Sequence, residues 1–415
     1  MAILRAFKAI RPTPKLASMV AALPYDVMNS QEARQMVQGN PYSFLHVDKA
    51  EIDLPESVDL YDQQVYEKAR DNLQKMISDG VFVQDAARCL YIYKQVMDGR
   101  AQIGIVGCTA VDEYVENKIK KHELTRADKE QDRINHVDYC DANTGPIFLT
   151  YRAKAAVDTI VAKQMEKNPV YDFVSEDGIG HTVWVVDDQQ VICSLCAEFA
   201  QVDNLYIADG HHRSASAVKV GLQRRKDNPE AAPDAEFNFF LSVIFPDRDL
   251  YIMDYNRLVK DLNGLTKDAF MAAVEEKFTI TAFDGKDFKP SKKHIFGMYL
   301  DGKWYVLEAK EGTYDPADPV GQLDVSILQN NLLSPILAIG DPRTDKRIDF
   351  VGGIRGMEAL SGPVDAGAMA VAFSMYPTTM DDLMDIADAG AIMPPKSTWF
   401  EPKLRSGLFI HKLSE

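Results

Sequence analysis

The spacing of apolar residues predicts one strong helix in the N-terminal part of the chain. It covers residues 59–78, follows segments rich in proline, and stops at Asp79 and Gly80. Its apolar positions recur with the period of a helix that buries one face: Leu60, Val65, Tyr66, Ala69, Leu73, Met76 and Ile77.

The middle of the chain alternates between strand and helix patterns. A hairpin is predicted from two β-rich runs, 89–96 and 101–111, around Asp98 and Gly99. Helices are predicted over 126–141, 188–202 and 211–225, and strands over 147–152, 181–188, 204–210 and 237–246. The last strand is an almost continuous apolar run, so we expect it at the centre of a sheet.

Beyond residue 263 the pattern predicts a helix over 267–277, a strand over 278–283 and a hairpin over 294–310. The chain is therefore expected to have a mixed α/β (α+β) fold with a mixed sheet. We expect three parts: an N-terminal segment 1–87 with the long helix and a candidate lid, a core 88–262, and a C-terminal α/β domain 263–415.

Composition narrows the class of protein. Of the 415 residues, 46 are Lys or Arg and 62 are Asp or Glu, and the formal net charge of −16 argues against a nucleic-acid partner. The five cysteines do not form a disulfide framework, and no apolar run is long enough to cross a bilayer. We expect a reduced, cytoplasmic protein without a membrane partner.

The most informative segment is residues 207–221, where a strand ends in Asp209 and Gly210 and a helix begins. A helix start offers unpaired N–H groups and a positive dipole end that favour phosphate. Gly210 lets the backbone approach a ligand, and Arg213 can bind phosphate oxygens with two N–H groups. His211 and His212 can donate hydrogen bonds or ligate a metal. The alternative is a surface turn capped by Asp209.

A second segment, residues 120–133, contains His122 and Glu123 just before a polar helix. Glu123 is a candidate general base, although a glutamate at a helix start is usually a capping charge. The zinc-protease pattern H-E-x-x-H fails, because position 126 is Arg.

Two further regions are candidates for binding. Lys396, Ser397 and Thr398 follow two prolines and could meet a phosphate, although the glycines of a P-loop are absent and a core strand is the alternative. Tyr25 and Asp26 lie in a proline-rich turn that could line a substrate pocket or only shape the chain. Cys193 and Cys196 are expected to be core cysteines of the predicted helix.

The H-E pair, the polar helix, G-P-I at residues 145–147 and D-G-H-H-R at residues 209–213 together resemble the ParB/sulfiredoxin-like superfamily. Within it, the free serine kinase type carries similar boxes over residues 88–262, with 152–201 as an insertion. The whole chain also resembles a bacterial family of unknown function, through P-Y-D-V at 24–27, N-P-Y-S-F-L-H-V at 40–47 and M-P-P-K-S-T-W-F-E-P-K-L at 393–404. Sulfiredoxins need a cysteine where this chain has His211, so thiol chemistry is unsupported.

The resemblance implies a role for individual residues. Glu123 corresponds to the base that takes the proton from the serine hydroxyl, with His212 and Arg213 as further catalytic residues. The nucleotide and phosphate group is implied to include Asp209, which would also hold Mg²⁺, together with Gly210, His211, Ser214, Ser216, Lys396, Ser397 and Thr398. The residues expected to contact the substrate are Tyr25, Asp26, His122 and Thr125.

The resulting hypothesis is a phosphotransferase that uses ATP or ADP with Mg²⁺ and acts on a small hydroxyl metabolite, free L-serine first, with a homodimer left open. One alternative is a metal-dependent phosphoesterase with His122, His211, His212 and Asp209 as ligands. The other is a ParB-like switch that binds nucleotide without turnover of a metabolite.

Overall fold

The computed structural model describes residues 2–414 and has the predicted mixed α/β fold. Its helices are α1 (Ala17–Val20), α2 (Ser30–Met36), α3 (Leu45–Asp48), α4 (Gln63–Ser78), α5 (Val111–Val115), α6 (Ala127–Cys140), α7 (Ala155–Met165), α8 (Gln189–Phe199), α9 (His211–Asp227), α10 (Lys267–Glu275), α11 (Asp324–Leu328), α12 (Glu358–Asp365) and α13 (Met380–Asp388).

The strands, in chain order, are β1 (Ile10–Pro12), β2 (Phe82–Gln84), β3 (Leu90–Met97), β4 (Arg100–Ala110), β5 (Ile119–Lys120), β6 (Ala142–Asn143), β7 (Ile147–Tyr151), β8 (Tyr171–Val174), β9 (Gly180–Val186), β10 (Leu205–Asp209), β11 (Phe239–Pro246), β12 (Tyr255–Val259), β13 (Phe278–Phe283), β14 (Ile295–Leu300), β15 (Lys303–Ala309), β16 (Ile348–Gly352), β17 (Val371–Ser374) and β18 (His411–Lys412).

Two compact units divide the chain. The first unit takes the residues up to Lys121, Thr125–Leu250 and those from Pro402 onward. The second unit takes His122–Leu124 and Tyr251–Glu401. The division into 1–87, 88–262 and 263–415 stays a prediction about folding domains.

A mixed sheet forms the centre of the first unit. Within the described residues it has eight strands in the order β5-β10-β7-β11-β4-β3-β9-β8. β11 runs parallel to β7 and antiparallel to β4, which confirms the predicted central position of its apolar run. Its residues from Phe240 to Pro246 are all buried, as a strand with neighbours on both sides requires.

Both predicted hairpins are confirmed, and their turns follow from the Asp-Gly pairs. Met97 pairs with Arg100, so the loop between β3 and β4 is Asp98 and Gly99, with φ of 51° and 77°. Two successive positive φ angles define the type I′ turn that matches the twist of a hairpin. The β14–β15 hairpin of the second unit has the same turn at 301–302.

The long predicted helix begins later than its apolar pattern suggests. The side chain of Asp62 accepts a hydrogen bond from the backbone N–H of Gln64, and α4 starts at Gln63. A side-chain oxygen at this position satisfies one of the unpaired amides of the first turn. The cap, rather than the apolar residue Leu60, therefore sets the helix start.

The prediction that Cys193 and Cys196 are core residues is wrong for Cys193 and is confirmed in part for Cys196, which packs against the hydrophobic core of the first unit. Both lie on α8, but Cys193 is exposed and Cys196 is half-buried, with its thiol donating to the carbonyl of Leu4. The buried stripe of α8 consists of Ile192, Leu195 and Phe199. Cys193 follows Ile192 directly, and one residue turns a helix by about 100°, which carries Cys193 off this stripe.

The second unit is built on an antiparallel sheet. Within the described residues its strand order is β13-β15-β14-β17-β12-β16. α12 packs on one face of this sheet, where Leu258, Tyr299, Trp304 and Leu360 are buried together. Across residues 2–414, no helix combines the length and the apolar character needed to cross a membrane.

Candidate functional site

The strand-to-helix turn of the first unit is built by a change of backbone conformation at one glycine. β10 is buried up to Ala208 and ends at Asp209. Gly210 then adopts φ of 92° and ψ of 34°, and α9 begins at His211. An L-residue other than glycine is strained at such a positive φ. The turn leaves the first amides of α9 without partners inside the helix, as at every helix start.

Two cationic side chains, those of Lys403 and Arg213, lie close to the Asp209 carboxylate at this turn. Its carboxylate accepts a hydrogen bond from the Gly210 N–H at 2.8 Å and lies 3.2 Å from Lys403 Nζ and 3.9 Å from Arg213 Nη2. Burial alone would raise the pKa of Asp209, but Lys403 and Arg213 outweigh it and hold this pKa well below its usual range. Asp209 is therefore ionised, and the turn carries two cations against one carboxylate.

Arg213 is the cation of the turn with unused donor capacity. Its Nη1 donates to the Pro146 carbonyl at 2.6 Å. Its side chain is only 10% exposed, and within residues 2–414 its Nε has no hydrogen-bond partner. A buried donor without a partner costs free energy, and a bound anion would satisfy it.

The two histidines differ in their surroundings. His211 is buried at the first position of α9. His212 Nε2 accepts the Arg126 N–H at 3.0 Å, which assigns the proton of the neutral ring to Nδ1. Burial lowers the pKa of His212, although Asp26 and Glu130 oppose the shift. His212 is therefore neutral near pH 7 and can donate through Nδ1.

Ser214 and Ser216 use their hydroxyls within the protein. Ser214 Oγ lies 3.1 Å from the Gly210 carbonyl and 3.0 Å from the His211 carbonyl, and Ser216 Oγ donates to the His212 carbonyl at 2.6 Å. Both residues are fully buried. Each hydroxyl has a single proton, and these local bonds use it. The contact of Ser214 and Ser216 with a phosphate stays a prediction.

Thr125 joins the start of α6 to a buried carboxylate. Its Oγ1 donates to Glu130 Oε2 at 2.6 Å, and Glu130 also pairs with Lys219 of α9. Burial would raise the pKa of Glu130, but Lys219 and Thr125 lower it overall. The backbone of Arg126, next in the chain, is bonded to His212. Thr125 is thereby fixed near the first turn of α9.

A small cavity of about 20 Å³ lies beside Arg213 in the same unit. Its polar lining combines two residues that the sequence suggested with five that it did not: Tyr25 and Arg213, and then Asp48, Arg133, His136, Asn143 and Thr144. The signal for Arg133 and His136 was available in principle, because they lie on the polar helix that follows the H-E pair. Asp48 and Thr144 carry no comparable signal.

The charged and polar side chains around this cavity are positioned by contacts with one another. The Arg133 guanidinium lies 4.0 Å from the centre of the Tyr25 ring and 2.9 Å from Asp132. Thr144 Oγ1 donates to Asp48 at 2.9 Å. Burial raises the pKa of Tyr25, with Asp26 adding to the effect, and burial also raises the pKa of Asp48. Asp26 itself is exposed.

Five predicted site residues belong to the second unit: His122, Glu123, Lys396, Ser397 and Thr398. His122 is buried and Glu123 is half-buried, and the His122 carbonyl accepts the Met393 N–H at 2.8 Å.

The loop that contains Lys396 is held by a buried arginine. Lys396 has φ of 61°, and its carbonyl accepts a hydrogen bond from Arg257 Nη2 at 3.0 Å. Ser397 is buried and donates to the Pro394 carbonyl at 2.6 Å. Burial lowers the pKa of Arg257 to about 10. The phosphate role of Lys396, Ser397 and Thr398 stays a prediction.

The fold and the cation-rich turn together define a mixed α/β protein that has a candidate site for an anion. Residues 4–326 match the family described as "Protein of unknown function (DUF1015)", and the chain belongs to this family. Comparison with curated proteins gives no match. The ParB/sulfiredoxin-like assignment stays a prediction.

Several solved structures are similar over much of their length. A free serine kinase in complex with AMP is 16% identical, with a TM-score of 0.38 and coverage of 74% of this chain and 91% of that chain. A conserved hypothetical protein from Pyrococcus furiosus is 16% identical, with a TM-score of 0.35 and coverage of 74% and 94%. SbnI from Staphylococcus aureus, truncated at its C-terminus, is 10% identical, with a TM-score of 0.38 and coverage of 74% and 86%. At these TM-scores the likeness carries no statement about activity.

Proposed function

We propose that this protein is a nucleotide-dependent phosphotransferase that acts on a small hydroxyl compound, with free L-serine as the first substrate to test. The observation that carries the proposal is the turn between β10 and α9. There, Lys403 and Arg213 converge on Asp209 where the helix begins. The kinase part of the proposal rests on the H-E and D-G-H-H-R boxes of the sequence.

The turn has the parts that phosphoryl transfer needs most, which are positioning and neutralisation of charge. The first amides of a 17-residue helix point to one place, and the helix dipole adds positive potential there. Arg213 Nε, without a partner within the described residues, is available to a phosphate oxygen. A phosphate that enters would compete with Asp209 for both cations.

Other residues have secondary roles in this proposal. His212, neutral and protonated at Nδ1, can donate to the transferred group without adding charge. Glu123 is the proposed base that accepts the proton of the substrate hydroxyl, on the strength of the sequence resemblance alone. Tyr25 and Thr125 are proposed to contact the substrate.

Mg²⁺ would neutralise charge on the transferred phosphoryl group when it is bound with the nucleotide. Asp209 fits poorly as its ligand, because two cations and an amide already face this carboxylate. The proposal therefore gives Asp209 a different role, which is to orient Lys403 and Arg213. A metal bound by Asp209 stays a prediction of the sequence.

The test is an incubation of the full chain with Mg²⁺, ATP or ADP, and a pool of hydroxyl metabolites, followed by mass spectrometry. A phosphorylated metabolite that needs both the protein and the nucleotide supports the proposal. Release of inorganic phosphate from phosphate esters, with stoichiometric Zn²⁺ or Mn²⁺ in the purified protein, would favour the phosphoesterase instead. Nucleotide binding without any product would favour the ParB-like switch.

A further inference from the structure

The second unit contains a buried guanidinium that has no acidic partner. Arg257 lies on β12 and is only 4% exposed. Within residues 2–414, no carboxylate forms an ion pair with it. Burial lowers the pKa of Arg257 to about 10, so its side chain still carries a positive charge at neutral pH. Arginine is almost never fully buried unless it is paired, and this charge therefore calls for an anion.

Most of the donor capacity of Arg257 is unused. A guanidinium has five N–H donors. One N–H of Nη1 donates to the Tyr255 carbonyl, and one of Nη2 donates to the Lys396 carbonyl at 3.0 Å. The other donors have no hydrogen-bond partner in the part of the chain that the structure describes. A buried donor without a partner costs free energy, which a bound anion would recover.

A second cation, Lys396, lies at the same place. Its Nζ is 5.8 Å from the centre of the Tyr255 ring, and its carbonyl is the one that accepts the hydrogen bond from Arg257. The side chain is exposed and makes no ion pair with any residue of the described range. One buried and one exposed positive charge therefore lie on the two sides of Tyr255 without a compensating acid.

Aromatic rings surround the two cations. The Arg257 guanidinium lies 5.4 Å from the centre of the Phe350 ring. The Tyr255 ring packs against Phe350 and Trp399, with centres 5.8 Å and 5.0 Å apart. Gly352, which pairs with Tyr255, leaves room for Trp399, because a Cβ there would lie 2.8 Å from the indole ring. Apolar walls lower the local dielectric constant and strengthen the attraction between a cation and an anion.

The acidic side chains of this region already have partners. Asp254 lies 2.8 Å from Lys289 Nζ and accepts a hydrogen bond from the Asn256 amide at 2.6 Å. Glu401 accepts the indole N–H of Trp399 at 2.9 Å. The two cations are therefore not neutralised by these carboxylates.

We infer that Arg257 and Lys396, with the rings of Tyr255, Phe350 and Trp399, form a binding site for a phosphate group in the second unit. A planar guanidinium matches phosphate oxygens, and an ammonium adds a point charge. A phosphate ester carries about −1.5 to −2 charges at pH 7, so it balances two cations better than a carboxylate does. The site is centred on Arg257, which no sequence motif indicated, and it does not depend on the proposed transfer reaction.

The experiment titrates inorganic phosphate into the full chain at constant ionic strength and measures binding by calorimetry. Arg213→Ala is the starting protein, because the turn before α9 is proposed to bind phosphate as well. This protein should still bind phosphate, and its thermal midpoint should rise with the phosphate concentration. Methyl phosphate in a parallel titration separates free phosphate from a phosphate ester as the ligand, and binding of either compound supports the inference.

Lys396→Gly, added to this protein, removes one cation without straining the fold, because the φ of 61° at this position suits glycine. It should weaken phosphate binding by at least about fivefold, as the loss of a charge-assisted hydrogen bond implies. Lys277→Gly is the matched control. It removes an exposed lysine immediately before β13, the strand of the same sheet that lies farthest from β12. Phosphate affinity should then stay within about twofold.

Arg257→Met removes the buried charge and should weaken phosphate binding by at least about tenfold. Arg257→Lys keeps the charge but loses the planar fork, so its affinity should be intermediate. Because Arg257 is buried, urea unfolding of each variant checks that it folds, and Lys396→Gly decides if neither does. The inference is overturned by an absence of phosphate binding to Arg213→Ala, by equal losses in Lys396→Gly and Lys277→Gly, or by full phosphate affinity in folded Arg257→Met.

Discussion

Replacement of Arg213 by alanine should weaken nucleotide binding at least about tenfold and should also lower the stability of the fold. In the free protein Arg213 makes one strong hydrogen bond, 2.6 Å to the Pro146 carbonyl, and a distant contact with Asp209 at 3.9 Å. Truncation leaves that carbonyl without its donor, at a cost of about 1–3 kcal/mol in the free energy of unfolding.

The loss of binding free energy has a separate cause, because the guanidinium has a donor ready for the ligand. Hydrogen bonds to charged groups contribute about 1.5–3 kcal/mol, and each 1.4 kcal/mol changes affinity about tenfold. Arg213→Ala should therefore raise the Kd for ADP by at least about tenfold. Arg213→Lys, which keeps the charge but loses the fork, should fall between wild type and Arg213→Ala.

The assay is calorimetric titration with ADP and Mg²⁺, paired with urea unfolding of each variant. Lys226→Ala is the matched control, because this substitution removes the same positive charge from the exposed C-terminal end of α9. This control should bind ADP within about twofold of wild type. The reasoning is refuted if folded Arg213→Ala binds ADP as wild type does, or if Lys226→Ala loses as much affinity.

Three further predictions concern other parts of the chain. Glu123→Gln should lower kcat by about 10²–10⁴-fold with ADP affinity nearly constant, and turnover within a few-fold of wild type would reduce Glu123 to a helix-start charge. Gly210→Ala should cost about 1–2 kcal/mol in urea unfolding, since φ is 92° and the new Cβ would lie 3.1 Å from Arg213 Nε. Gly210→Ala should also weaken ADP binding. Gly99→Ala, with φ of 77° and open space around it, is the control and should cost a similar amount of stability but leave ADP affinity unchanged. Equal ADP affinities of the two variants would contradict the assignment of the site to the Gly210 turn. Burial raises the pKa of Asp324 to about 7 from 3.8, so the folded state holds this proton more tightly. The thermal midpoint of the wild type, measured relative to that of Asp324→Asn, should therefore fall as pH rises from 4 to 7 and then level off, and a difference that does not change with pH would contradict the assignment.

Much of the fold follows from patterns that are local in sequence. The apolar run of β11 is sufficient to place this strand inside a sheet, because both of its faces must be covered. The Asp98-Gly99 pair is sufficient to fix a two-residue hairpin turn, because both residues tolerate positive φ. Cys193 shows the limit of such reasoning, since one step along a helix separates the buried stripe from the exposed face.

The candidate site was only partly predictable, because half of its charges come from distant parts of the chain. Gly210 and Arg213 are visible in one short motif. Lys403 reaches Asp209 from 194 positions away, and no local pattern connects them. Arg133 lies on the polar helix that follows the H-E pair, and the structure buries it.

The most direct test of the central claim is transfer of the phosphoryl group to isotope-labelled L-serine, followed by mass spectrometry over time. The reaction contains the full chain, Mg²⁺ and either ATP or ADP, and a parallel reaction contains Arg213→Ala. We predict that labelled O-phosphoserine forms, or the phosphate ester of another small hydroxyl compound when a pool of hydroxyl metabolites is supplied. The rate of this reaction should be much lower in the Arg213→Ala variant. Tight nucleotide binding with no phosphorylated product from serine or from the pool would contradict the claim.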